Sequence, residues 1–211
     1  MNQKVTELFT DQHMVKRIQD RLPKLFYIAE LESSRAGKVG MEVGSMREKI
    51  IIALLIYKFG ESNVNVDFPI TAPEIDVEVF NNPISIKTIT KSLSGIKLIW
   101  TVDAKQALNF RENYFPKYDM LFVHINWNNK GLFCFIPASV QKSVFNRIGR
   151  ERYIKLPKPG TNPRGAEMTS EAIKNLISNN ETLKIDIDWV KEAREFSPYK
   201  RWVDLWRQEN I

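Results

Sequence analysis

Apolar residues first recur along the chain at helical spacing. Residues 12 to 33 have the pattern of an amphipathic helix, and after a break from Gly37 to Gly44 the stretch SMREKIIIALLIYKFG predicts another. Ser45 followed by Glu48 has the capping-box form, which puts the start of this helix at Ser45, and Gly60 marks its stop. Because it is apolar nearly all round, it is expected to be central and buried. The period then shortens to two. Ile75 to Phe80 and Ile84 to Thr90 predict an antiparallel hairpin, with a third strand near Ile96 to Val102. Asp103 is placed to cap a helix ending at about Asn113. DMLFVHINW is a buried strand, Asn128 to Gly131 a turn, and GLFCFIP the partner strand. Residues about 138 to 148 and 169 to 179 predict helices on either side of the Pro- and Gly-rich KLPKPGTNPRG. Near the end, Trp202, Leu205 and Trp206 have amphipathic helical spacing. Together these elements predict an α/β protein, specifically an α+β mixed sheet flanked by helices.

Composition narrows the classes. With 211 residues, 43% of them hydrophobic, the chain can bury a sizeable core and suits one domain. Its longest apolar run, Ile50 to Ile56, is far short of the roughly 18–20 residues of a membrane span. Met1 to Thr10 lacks the basic start and apolar stretch of a signal peptide, so a soluble, cytoplasmic protein is expected. The single cysteine, Cys134, lies in an apolar run and is expected to be a buried structural thiol; no zinc-ligand cluster is evident. The formal charge of +6 is concentrated. Lys142, Arg147, Arg150, Arg152, Lys155, Lys158 and Arg164 face one acid, Glu151, between positions 142 and 164. Such a run is either a polyanion-binding footprint or a solvated basic face.

The stretch PEIDVEVFNNPISIKT, residues 73 to 88, carries the candidate chemistry. Alternation along a strand puts Glu74, Asp76 and Glu78 on one face, and Ser85 and Lys87 on one face of the next strand. If the polar faces meet, Asp76 and Lys87 converge. A carboxylate that can bind a divalent cation beside an ammonium group suits phosphodiester hydrolysis. The alternative is a solvent-facing hairpin with a surface ion pair of little energetic value.

The same stretch resembles the metal-binding hairpin of the PD-(D/E)xK nuclease superfamily. Over nearly the whole chain, and above all in YIKLPKPGTNPRGAEMTSEA, the sequence resembles the ThaI type of type II restriction endonuclease. This likeness implies a PD-(D/E)xK restriction-endonuclease-like core at about residues 38–150, with a DNA-recognition loop and C-terminal helices at about 151–211. It also implies Mg²⁺-dependent cleavage of double-stranded DNA at a short palindrome of G and C, by a homodimer. A cognate DNA methyltransferase acting on the same site is implied as well, though not as a stable partner.

Position by position, Asp76 matches the metal-binding Asp and Lys87 the Lys that orients or activates water. The main-chain carbonyl of Ile86 matches a further metal ligand. Ser85 stands where the pattern has Asp or Glu, a departure that leaves the second carboxylate to be supplied from elsewhere if the site is active. Glu48, in the preceding helix, matches the helix Glu of many members, although a capping-box role with Ser45 would also explain it. Glu42 is a weaker substitute, and Glu74 could replace Asp76 if the strand register slipped by two. Failing Glu48, Glu74 or Glu78 would be the second ligand.

For DNA contact, Lys155, Lys158, Thr161, Asn162 and Arg164 lie in a loop stiffened by Pro157, Pro159 and Pro163. Gly160 and Gly165 would let its backbone approach a surface closely. Lys155 and Lys158 are expected on phosphates, Arg164 on a guanine edge, and Thr161 and Asn162 on base edges or phosphates. Met46 and Arg47, at a helix start, suit a minor-groove wedge or a phosphate contact, and a buried Met46 is an equal alternative. His124 is expected to be a satisfied core or edge residue, and His13 has no constellation around it. A repair or nicking nuclease, or a catalytically silent DNA-binding protein, are the alternatives.

Overall fold

A computed structural model describes residues 3–35, 38–40, 42–68, 74–157, 165–192 and 195–208. It opens with α1 (Gln3–Thr10) and α2 (Gln12–Ser33), where Asp11 caps α2 by accepting from the amides of His13 and Met14. The short pair β1 (Ser34–Arg35) and β2 (Lys38–Val39) leads into α3 (Val43–Phe59). Then come β3 (Val64–Asn65), β4 (Val77–Val79), β5 (Asn82–Thr90) and β6 (Gly95–Lys97). Helix α4 (Ala104–Asn113), capped by Asp103 as expected, precedes β7 (Asp119–Ile125) and β8 (Lys130–Ile136). The remainder is α5 (Ala138–Ile148), α6 (Arg150–Tyr153), β9 (Ile154–Lys155), β10 (Glu167–Thr169), α7 (Ser170–Ser178), β11 (Leu183–Asp188) and α8 (Lys200–Trp206).

The main sheet is mixed, in the order β11-β8-β7-β5-β4-β3, with β5 and β7 parallel and every other neighbouring pair antiparallel. Its two faces bury two separate cores. Ile84 and Ile86 point with Leu121, Val123, Phe133 and Phe135 toward a core closed by α1, α2 and α3. Ile89, Met120, Phe122, Cys134 and Ile136 point to the other, closed by α5 to α7 and a small sheet β6-β10-β9. Ser85 and Lys87 share the face of Ile89 by alternation, so they occupy positions that would otherwise be core. The β4–β5 hairpin turns at Phe80 and Asn81, both at positive φ (50° and 61°), as a two-residue turn of the primed kind requires.

Three expectations change. First, the third strand leaves the main sheet: β6 pairs with β10 instead, after Lys91 (φ 69°) turns the chain away from the end of β5. Second, α3 is not buried all round; its buried positions are Arg47, Ile51 and Leu55, one stripe four residues apart, while Tyr57 is exposed. Ile50 and Leu54 instead line a groove against Leu22 and Leu25 of α2. Third, α3 starts at Val43, two residues earlier than the capping-box pattern implied, and Glu42 stands at its cap with no side-chain hydrogen bond. Helix α8 buries no residue, and Trp206 is almost wholly exposed. Cys134 is fully buried, and burial pushes its thiol up to about 12.

Candidate active site

Antiparallel pairing of β4 with β5 puts Asp76, one residue before β4, opposite Ser85. The Asp76 amide donates to the Ile84 carbonyl at 3.1 Å, extending the ladder by one bond. Three donors then converge on Asp76 Oδ2: the Ile86 amide at 2.5 Å, the Ser85 hydroxyl at 3.2 Å and the Lys87 ammonium at 3.2 Å. The pair is sheltered, with side-chain exposures of 16% for Lys87 and 20% for Asp76. Asp76 and Lys87 meet as alternation predicts, and Ser85 supports the carboxylate rather than supplying a charge of its own.

Glu48 reaches the same place from α3. Burial raises its pKa, and the Asp76 charge raises it further, while Lys87 and Lys49 oppose both effects. The effect of Asp76 on Glu48 is a repulsion between two carboxylates, which a bound cation would relieve. Because α3 begins at Val43, Glu48 is well inside the helix and caps nothing.

The other acids do not compete for Asp76's place. Glu74 has left the strand; at φ 67° it sits in a turn, lining a small cavity with Ser85, Tyr114 and Lys117. Burial drives its carboxyl up to about 7, against the lowering influence of Tyr114 and Lys87. Glu78 lies between Asn65 and Pro83, beside a surface groove lined by Ser62 and Phe80. Glu42 is exposed, its carboxylate folded against Gly40. The register-slip alternative fails because both the amide and the carboxylate of Asp76 are bonded to β5.

Among the described residues no group of three or more His, Cys, Asp or Glu side chains forms a metal cage. Asp76 and Glu48 nevertheless suit a hard cation that keeps several waters, since Mg²⁺ is commonly held by one or two carboxylates. All three donors to Asp76 arrive at one oxygen, so its Oδ1 accepts from none of the described residues.

The expected DNA contacts divide. Arg47 is not a surface phosphate ligand: it is buried, donating to Glu30 Oε1 at 2.5 Å and to Thr90 Oγ1 at 2.9 Å. Met46 beside it is half-buried. Lys155 is paired with Glu167 at 2.7 Å and donates to the Ser94 carbonyl at 3.0 Å. Lys158, Thr161, Asn162 and Arg164 lie outside the described residues. Gly165 does approach a surface closely, but that surface is the chain's own: at φ 96°, a Cβ there would come within 1.7 Å of the Ile99 carbonyl oxygen.

Much of the basic run is consumed internally. Arg150 donates to the carbonyls of Arg111 and Tyr114 at the end of α4, Arg147 to Asn175, and Arg152 pairs with Glu171. His124, near the end of the interior strand β7, is satisfied by the Lys91 carbonyl at 2.7 Å. Sequence reasoning missed Tyr114, Lys117 and Glu30. The partners of Glu30 stand 17, 97 and 161 positions away, so no local pattern could reveal it.

A mixed sheet that presents a carboxylate–lysine pair on adjoining strands, with a helix carboxylate beside it, is a nuclease arrangement, and the comparisons agree. A solved structure described as a restriction endonuclease in complex with substrate DNA is 56% identical to the chain, covers 96% of it and 98% of its own length, and superposes with a TM-score of 0.90. The family model for restriction endonuclease ThaI matches residues 8–208, so the chain belongs to the ThaI restriction endonuclease family and is a site-specific nuclease. No curated protein matches it in sequence.

Proposed function

We infer that the protein is a type II restriction endonuclease that uses Mg²⁺ to hydrolyse both strands of double-stranded DNA at a short palindrome of G and C. The observation that carries this reading is the convergence of Ser85, Ile86 and Lys87 on one oxygen of Asp76, with the Glu48 carboxylate alongside. Asp76, Glu48 and the Ile86 carbonyl are the residues that would hold the ion, in a PD-(D/E)xK-like core. Mg²⁺ there would supply positive charge for the transition state and lower the pKa of the attacking water. Ser85 and the Ile86 amide fix the orientation of Asp76, as the outer hydrogen bonds of a ligand carboxylate do. Lys87, held by Asp76, orients the nucleophilic water beside the scissile phosphate.

Recognition falls to the stretch from Lys155 to Arg164, within the part of a single domain that spans about 151–211. Lys158 neutralises phosphate, Arg164 reads a guanine edge, and Thr161 and Asn162 donate to bases or phosphates. Met46, in the first turn of α3 and close in sequence to Glu48, enters the minor groove as a wedge. A palindromic target calls for a two-fold symmetric homodimer with one site per strand. The setting is cytoplasmic, where a methyltransferase modifying the same site would protect the host's DNA.

Supercoiled plasmid incubated with protein and Mg²⁺ tests the proposal. Discrete linear fragments are expected. Nicked circles would instead indicate a single-strand nuclease, and a mobility shift without cleavage a silent DNA-binding protein.

A further inference from the structure

Glu30 lies in α2 and is almost fully buried, yet it accepts from three residues distant in sequence. Arg47 Nη2 of α3 reaches its Oε1 at 2.5 Å, Trp127 Nε1 reaches the same oxygen at 2.7 Å, and Lys191 Nζ reaches Oε2 at 2.8 Å. A second Arg47 nitrogen, Nη1, donates to Thr90 Oγ1 at 2.9 Å, and the guanidinium lies over Phe26 with its carbon 5.8 Å from the ring centre. Thr90 ends β5, three residues after Lys87. Arg47 precedes Glu48.

The start of α3 is otherwise held by main-chain bonds, the Gly40 amide donating to the Ser33 carbonyl at 3.0 Å and the Val43 amide to the Gly40 carbonyl at 3.4 Å. Its cap, Glu42, makes no side-chain hydrogen bond. The bridge Glu30–Arg47–Thr90 therefore ties the helix turn that bears Glu48 to the strand that bears Ser85, Ile86 and Lys87. An ion pair this deeply buried is weak evidence for stability, because desolvation offsets much of its attraction. Its geometry points elsewhere, since it fixes two elements whose spacing a two-carboxylate cation site depends on.

We propose that Glu30 is a positioning residue for the nuclease reaction: through Arg47 it sets the distance between Glu48 on α3 and Asp76 beside β5, and thereby the affinity for the divalent ion. The proposal rests on the reading of Glu48 and Asp76 as the cation's carboxylates. Glu30→Gln removes the charge that orients Arg47. Thr90→Val leaves the Glu30–Arg47 pair intact but cuts its link to β5, and it carries the test if Glu30→Gln does not fold.

Two readouts apply to each variant: the Mg²⁺ concentration giving half the maximal cleavage rate, and the Mg²⁺ concentration at which the ion alone, without DNA, raises the melting temperature. Both midpoints are expected to rise by about 10-fold or more, the usual effect of losing an outer-shell support, and DNA affinity in EDTA should stay near wild type. Lowered melting temperatures with both Mg²⁺ midpoints unchanged would make the bridge a structural ion pair and overturn the proposal. Glu48→Gln, measured alongside, separates the two levels. If that variant keeps the wild-type Mg²⁺ response, Glu48 is not a ligand and the underlying reading fails too. If it loses the response while Glu30→Gln and Thr90→Val keep it, the positioning role alone fails.

Discussion

Ile86 donates its main-chain N–H to Asp76 Oδ2 at 2.5 Å, so the strand that carries Lys87 also locks the carboxylate that Lys87 faces. This bond fixes which acid of the Glu74–Asp76–Glu78 row can act. Glu78 lies across from Pro83, away from Lys87, and Glu78→Gln is expected to leave the Mg²⁺-dependent cleavage rate unchanged. A steady-state plasmid assay checks this, and a severe loss would show that the row is read in the wrong register.

Glu48 and Ser85 are expected to respond in opposite ways. Ser85→Ala removes one of three donors to Asp76 and should slow cleavage mildly, while Glu48→Gln should nearly abolish it by removing charge from the cation site. Stability points the other way. The folded protein disfavours ionised Glu48, whose pKa is raised first by burial and then by Asp76, so the neutral Gln should leave the metal-free melting temperature at neutral pH unchanged or higher. A normal cleavage rate with a lowered melting temperature would return Glu48 to a structural role.

Glu167 joins β10 to both neighbouring strands through Lys97 and Lys155. Burial pushes its carboxyl up, but the two ammonium groups outweigh burial and hold it below the ordinary value of 4.5. A carboxylate lowered in the folded state stabilises the fold above its unfolded pKa, and that contribution is lost as pH falls through the folded value. Glu167→Gln should therefore cost stability at pH 6 to 8, with the difference from wild type shrinking below about pH 4.5. Urea midpoints measured across this range give the answer; a penalty that persists undiminished at pH 3 would contradict the ion-pair account.

The recognition stretch should divide by role. Lys158→Ala is expected to weaken binding to all sequences alike and to flatten the plot of log affinity against log salt by about 0.9 per lost phosphate contact. Lys155→Ala should change that slope less and stability more, because its ammonium is engaged with Glu167 and Ser94. Arg164→Ala should cost about 1–3 kcal/mol at the cognate site and spare non-specific affinity. Equal losses on cognate and random DNA would make Arg164 a phosphate contact.

The parts of the fold legible in the sequence were those set by local periodicity and caps. Helix α2, helix α4 with its Asp103 cap, the β7–β8 hairpin and the Asp76–Lys87 meeting all follow from spacing within a few residues. Pairings over long separations were not legible. Strand β6 joins β10 some seventy positions away instead of its neighbour in sequence, and β11 adds to β8 without a local signal. Charge misled for the same reason. Arg47 and much of the basic run look like a DNA surface in sequence, but Glu30, Glu171 and the carbonyls of Arg111 and Tyr114 engage them in space.

The central claim is that Asp76 and Lys87 perform metal-dependent phosphodiester hydrolysis, and the most direct measurement compares cleavage and binding in the same variants. Wild-type protein, Asp76→Ala and Lys87→Ala are incubated with plasmid in Mg²⁺, and their affinities for the cleaved sequence are measured in Ca²⁺, where turnover is suppressed. Wild-type protein should give discrete linear fragments, and each variant should lose cleavage while keeping site-specific binding largely intact, because these groups act on the cation and the nucleophile rather than on the bases. Fragments of wild-type yield from either variant would contradict the account and reduce the hairpin to scaffolding.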